Sequence, residues 1–171
     1  MSASDAARFL MDASSPKGTA GSVREAGVAD VSAAAAAVGA LLDELGGEAP
    51  ATAELEAATR ALVEQPELGT LLVAEAEGEL VGVLAASWVH AIHVPGHYGV
   101  IQDLWVRPDF RSRAVGRELV ECYAEIATRH GAARLEVGLP KESFERIEAT
   151  ERFYLGNGFA SLGIRMRRKL R

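Results

Sequence analysis

Apolar residues recur along this chain at two periods, and the switches between them outline its elements. From Val31 to Leu45 the apolar positions keep helical spacing through Ala33 to Ala37, Val38, Leu41 and Leu42. Alanine is the best helix former, so even this simple stretch predicts an amphipathic helix. Asp30 is placed to cap it and Gly46-Gly47 to stop it. Thr52 opens a second helical pattern through Leu55, Leu62 and Val63, closed by Pro66 and Gly69. Thr70 to Glu75 and Leu80 to Val89 are apolar runs around Glu77-Gly78-Glu79, the pattern of a hairpin of buried strands. His93 to Gly99, broken by Pro95-Gly96, reads as a loop leading into a strand from Val100 to Val106. After an arginine-bearing loop, Val115, Leu119, Tyr123 and Ile126 mark one face of a helix that Gly131 ends. Arg134 to Val137 is a strand, Pro140 to Arg146 a polar connection, and a short helix ends at Gly156-Asn157-Gly158. Short strands are expected from Ser22 to Ala26, around Phe159-Ala160, and from Gly163 to Arg168.

The resulting order, β-α-α-β-β-β-α-β-α-β-β, describes an α/β (α+β) chain without internal repeats. At 171 residues it has room for one domain with a sizeable core. Residues 1–20, rich in Ser, Ala, Gly and Asp, are expected to be a flexible N-terminal arm, and 21–171 a single domain. A formal net charge of −6 argues against a nucleic-acid partner bound through overall positive charge. No apolar run approaches a membrane span, the N-terminus lacks a signal-peptide pattern, and the single cysteine, Cys122, excludes an internal disulfide. The expectation is a cytoplasmic protein with no membrane partner.

The most informative stretch is Val106-Arg107-Pro108-Asp109-Phe110-Arg111-Ser112-Arg113-Ala114-Val115-Gly116-Arg117. A strand, a short loop and a helix N-terminus make an anion site, because the first helical N–H groups lack intrahelical partners and the dipole adds positive charge. Arg111, Arg113 and Arg117 bring full charges to the same region. No Gly-Lys-Ser/Thr follows, and no G-x-G-x-x-G, so neither a P-loop nor a dinucleotide fingerprint is present. The run Arg111-Ser112-Arg113-Ala114-Val115-Gly116 resembles the acyl-CoA signature of the GNAT N-acetyltransferases, Arg/Gln-x-x-Gly-x-Gly/Ala. Ala114 stands where that family usually has its first glycine; alanine suits a helical N-terminus, and its N–H stays available.

Glu151-Arg152-Phe153-Tyr154-Leu155-Gly156-Asn157-Gly158-Phe159 is similar to the family's C-terminal motif, Phe-Tyr-x-x-x-Gly-Phe. The resemblance runs from about residue 22 to 171. It implies a GNAT-type fold: a central mixed, mostly antiparallel sheet of about seven strands flanked by four helices. It also implies acetyl-CoA as co-substrate, no metal, and a primary amine of a small molecule or peptide as acceptor. The pyrophosphate would lie on residues 111 to 117, and the backbone of Leu104, Trp105 and Val106 would pair with the pantetheine arm. By the same resemblance Tyr154 sits beside the thioester sulfur as proton or hydrogen-bond donor. On its own segment alone it reads as a half-buried tyrosine of a short helix; the arginine loop and this motif together reverse that. A phenol near pKa 10 facing a thiol near 8.5 makes full transfer uphill by about 2 kcal/mol, so hydrogen bonding to the thiolate is the expected role.

An amine nucleophile must lose a proton, and a lysine-like amine is only about one part in a thousand neutral near pH 7. Relatives of the diamine-acetyltransferase type carry Glu-Asp before the strand end, where this chain has Gln102-Asp103. Asp103 is the candidate base. Alternation pairs it with Trp105 on one face and Gln102 with Leu104 on the other, which leaves open a purely structural role. Ile147 occupies the position of an asparagine common in the family, so one cofactor contact is missing or replaced. His90, His93 and His97 lack the companions of a metal site; their loop either overhangs the acceptor pocket as a proton relay or is an exposed hairpin. The basic C-terminus, Arg165 to Arg171, fits a final edge strand. The leading function is N-acetyl transfer by direct attack in a ternary complex. The rival is a non-catalytic acyl-CoA-binding module, and exposed edge strands allow a homodimer.

Overall fold

The structure, a computed structural model, describes residues 22–163 and Arg168. Its centre is a five-stranded sheet in the order β1 (Ser22–Glu25), β2 (Gly69–Ala76), β3 (Glu79–Ala91), β4 (Val94–Val106) and β5 (Leu135–Val137). The first three pairings are antiparallel and β4 with β5 is parallel. Phe159 and Ala160 belong to no strand; the strand expected from Gly163 to Arg168 and the arm at 1–20 lie outside the described residues, apart from the two ends of the former.

Helices cover both faces. On one lie α1 (Val31–Glu44) and α2 (Thr52–Glu64), where Ala34 and Ala37 meet Leu71, Val73, Val83 and Ala85. On the other lie α3 (Val115–Arg129) and α4 (Ile147–Gly156), whose Val115, Leu119, Tyr123 and Tyr154 meet Leu72, Ala74, Leu84, Ala86 and Ile101. Successive residues of β2 therefore bury to opposite sides, which is why the run reads as continuously apolar. Asp30 is the N-cap of α1 but its side chain accepts no N–H of that helix; its carboxylate accepts the Gly27 N–H at 2.7 Å and pairs with Arg24. Thr52 opens α2 but does not cap it: Ala51 does, and the Glu54 carboxylate accepts the Ala51 N–H at 2.9 Å.

The segment His93 to Gly99 departs from expectation. It is not a loop: β3 and β4 each run 13 residues and are joined at Ile92 and His93. His90 pairs with His97 and Ala91 with Val94, so Pro95 and Gly96 are absorbed as extra residues of a bulge in β4. This end of the sheet is filled by rings. Trp88 stacks on Tyr123 at 5.7 Å and on His130 at 4.9 Å, and meets the edge of His97. Tyr123 is fully buried and its hydroxyl has no hydrogen-bond partner among the described residues.

Candidate functional site

The site begins with a second bulge. Ala86 pairs with Ile101 and Ala85 with Asp103, leaving Gln102 as the extra residue. A bulge bends the strand and increases its twist. On its other side β4 is paired with β5 only from Gly99 to Ile101, although β4 itself continues to Val106. Residues 102 to 106 thus form a strand edge left open among the described residues. The Arg107 N–H donates to Val81 O of β3 at 2.9 Å. Alternation then turns the backbone groups of Trp105 toward β3 and those of Leu104 and Val106 toward the open side. The side chains of Leu104 and Val106 pack on the α3 layer and that of Trp105 on the α1 layer, as alternation predicts.

Past Val106 a 3-10 turn, Pro108–Phe110, swings the chain toward α3. Arg107 fixes its start by pairing with Glu79 at 2.7 Å and Asp109 at 2.9 Å while its guanidinium covers the Phe110 ring. Two non-glycine residues then adopt left-handed backbone: Ser112 at φ 62° and Ala114 at φ 66°. Ala114 differs here from the helical conformation expected of it. It is the N-cap, in the region where a glycine carries no Cβ penalty. The first bond of α3 is Glu118 N–H to Ala114 O at 2.9 Å, and the N–H groups of Ser112 to Arg117 donate to nothing among the described residues. Gly116 lets α4 come close, since a Cβ there would sit 3.3 Å from the Phe153 ring.

The three arginines are placed differently from one another. Arg111 turns inward, its Nη2 at 2.5 Å from the Glu44 carboxylate and its Nε at 2.9 Å from Val106 O. Arg113 lies over the Phe110 ring, and Arg117 pairs with Glu121 at 2.7 Å on the exposed face of α3. Glu44 escaped sequence reasoning: it closes α1, and nothing local marks it as a partner of the loop.

The two candidate reactive groups are brought within electrostatic reach of each other. Tyr154 is buried between Phe153 and Phe159, and no hydrogen bond holds its hydroxyl among the described residues. Burial, and then the nearby Asp103 charge, push its phenol above the ordinary tyrosine range. Asp103 is largely shielded from solvent, carries no ion pair or hydrogen bond among the described residues, and is raised by burial above the usual carboxylate range. Asp103 shares the α1 face with Trp105, through their partners Ala85 and Val83. The histidines gather elsewhere. His90 and His97 lie 5.4 Å apart at the closed end of the hairpin, beside Trp88 rather than over the open edge. Cys122 is half-buried on α3, with its thiol pushed up by burial. Ile147 is the first residue of α4.

A family model, the Acetyltransferase (GNAT) family, matches residues 39–159, most of the chain and every site residue above. The chain belongs to the GNAT acetyltransferase family. No curated protein sequence matches this acetyltransferase. Among solved structures it is similar to an integron cassette protein from the mobile metagenome of Cole Harbour Salt Marsh. That likeness has a TM-score of 0.74 at 23% identity, over 87% of this chain and 90% of the other. An aminoglycoside acetyltransferase from an uncultured soil metagenomic sample aligns with a TM-score of 0.70 at 20% identity, over 88% and 98%. Glucosamine-6-phosphate N-acetyltransferase from Arabidopsis thaliana follows at 0.68 and 17% identity, over 88% and 98%. These likenesses establish a shared fold: a mixed sheet with four flanking helices, five strands being described here. Among the described residues of the acetyltransferase no three His, Cys, Asp or Glu side chains are arranged to hold a metal ion, and no helix is long and apolar enough to cross a membrane.

Proposed function

We propose that this acetyltransferase moves acetyl from acetyl-CoA directly to a primary amine of a small molecule or peptide, with both substrates bound together. The observation that carries the reading is the continuity between the open edge of β4 and the unbonded N–H groups of Ser112 to Arg117. A ligand with an amide-bearing arm ending in a pyrophosphate fits that pairing of a strand edge with a helix N-terminus. Leu104, Trp105 and Val106 supply the edge. Ser112, Arg113, Ala114, Val115, Gly116 and Arg117 supply N–H donors, and Arg113 and Arg117 add positive field from the surface. Arg111 serves from behind, holding Val106 O.

Acetyl-CoA supplies an activated acyl group; the chain's own residues manage the protons. The amine arrives mostly protonated. Asp103, unpaired and more basic than a solvated aspartate, takes that proton directly or through a water. The new C–N bond forms as the C–S bond breaks, and sulfur leaves as a thiolate. Tyr154 donates a hydrogen bond to that sulfur. Its raised pKa keeps the phenol protonated throughout, which favours hydrogen bonding over full proton transfer. Net charge of −6 leans toward cationic acceptors, and two structural neighbours are named for acetylating amine-bearing sugars. The activity is assigned to the single domain expected over residues 21–171.

The rival reading is a non-catalytic acyl-CoA-binding module, motivated by Ala114, Gln102 and Ile147, which all leave the family pattern. Calorimetric titration with acetyl-CoA and CoA, followed by thiol release across a panel of amines, separates the two. Micromolar binding with amine-dependent thiol release is the expected result. Binding without release from any amine would favour the module, and no binding to either ligand would sink both readings.

A further inference from the structure

We infer that Glu44, the last residue of α1, is a positioning residue for the cofactor edge and acts through Arg111; the inference rests on the acetyl-CoA reading above. One carboxylate oxygen of Glu44 accepts from Arg111 Nη2 at 2.5 Å and from Trp105 Nε1 at 3.2 Å. The same guanidinium donates its Nε to Val106 O at 2.9 Å. The ion-paired side chains are 23% and 32% exposed, against 68% and 58% for Arg117 and Glu121 on the surface of α3. Glu44 stands 61 and 67 positions from its two partners, so this is a tertiary link between the end of α1 and the strand–loop junction. It is also shielded enough from water to hold one geometry.

Two consequences bear on the cofactor. Arg111 cannot turn its charge to a phosphate without abandoning a half-buried carboxylate, which makes that exchange unfavourable. Arg111 also caps a carbonyl that alternation points to the open side of β4. An arm pairing with this edge therefore meets the N–H and C=O of Leu104 and the N–H of Val106 free, while Val106 C=O already accepts from Arg111 and offers only its second lone pair. The capped carbonyl sets the register in which amides of an arm can dock. Because Glu44 leads directly into the α1–α2 connection, the same link ties that connection to the cofactor edge.

The test uses CoA and adenosine 3′-phosphate 5′-diphosphate, the nucleotide part of CoA without its arm, as calorimetric probes of the full chain. Glu44→Ala is expected to weaken CoA binding about tenfold, the scale of a lost charge-assisted hydrogen bond, and to leave the nucleotide probe unchanged. Glu44→Gln, which keeps an acceptor oxygen toward Trp105 and Arg111, should recover most of the loss. Arg111→Lys, which keeps the charge but loses the Nε donor, should reproduce the arm-specific effect. Arg113→Ala should weaken both probes alike. Should Glu44→Ala fail to fold, Glu44→Gln and Arg111→Lys decide the matter alone. An equal loss on both probes, or wild-type CoA affinity in Glu44→Ala and Arg111→Lys, overturns the role given to Glu44. Wild-type protein that binds neither probe overturns the acetyl-CoA reading and this inference with it.

Discussion

The two halves of β4 belong to one strand but follow opposite logic. From Val94 to Ile101 the strand pairs with β3 across a bulge and, over Gly99 to Ile101, with β5 as well; rings fill this end, and the Tyr123 hydroxyl has no partner among the described residues. From Gln102 onward one edge is unpaired among the described residues, and the chain runs into a loop that holds two residues in left-handed backbone and several N–H groups with no acceptor among them. At the closed end the buried groups are chiefly apolar and aromatic. At the open end packing is sacrificed to exposed donors, and backbone strain of this kind concentrates where a ligand is held.

The sharpest way to break this comparison is to add the same methyl group at the closed end, on Gly99 of β4, and beyond the open end, on Gly116 of α3. A Cβ on Gly99 would lie 2.1 Å from the Tyr123 hydroxyl and 2.9 Å from Leu135, whereas on Gly116 the nearest atoms are ring carbons at 3.3 Å. Gly99→Ala is expected to cost about 3 kcal/mol in urea unfolding and Gly116→Ala about 1 kcal/mol. Equal costs would mean that the two ends are packed alike. Next in size is Tyr154→Phe. Turnover should fall roughly a hundredfold, the scale of losing one donor to a developing anion, while calorimetric affinity for acetyl-CoA holds. An unchanged rate would return Tyr154 to the core as an ordinary aromatic.

Ala114→Gly relieves the left-handed N-cap and should raise stability by about 1 kcal/mol, read as a higher urea midpoint at constant slope. No gain would show that the loop carries no strain there. The smallest expected effect is that of Asp103→Asn. Burial raises the Asp103 pKa above its unfolded value, so its favourable contribution is complete below the unfolded pKa and is lost as pH rises through the folded one. The variant should therefore be at least as stable as wild type at pH 7, with the difference moving toward the parent as pH falls through the folded pKa and levelling off below about 4. Greater wild-type stability at pH 7 would reveal a partner for Asp103 and weaken its case as a base.

Much of this was legible in the sequence because the signals are local. Periodicity marks α1, α3 and the buried β2, and the paired motifs at Arg111–Gly116 and Phe153–Tyr154 mark the region of the proposed site. What escaped has a common physical cause. Pro95-Gly96 reads as a chain breaker, yet a bulge accommodates both and the strand continues, which moves His90 and His97 out of a loop and into the closed end. Ala114 looks compatible with a helix, but the tight approach to α3 imposes left-handed backbone at the N-cap. Glu44 carries no local mark, since its partners are brought to it only by the packing of α1 on β4. The faces of Asp103 and Trp105 follow from alternation alone, but the extra residue at Gln102 does not.

The bulges in this hairpin also bear on how the chain finds its fold. Both irregularities between β3 and β4 place their extra residues on β4, one at Gln102 and one at Pro95 and Gly96. A hairpin slipped by one residue would have to shift both at once and turn Leu84, Ala86 and Ile101 away from α3. The small side chains of Ala85 and Ala86 would discriminate poorly between registers by themselves. Two fixed irregularities, several residues apart, work like dowels in a joint: only one alignment seats both.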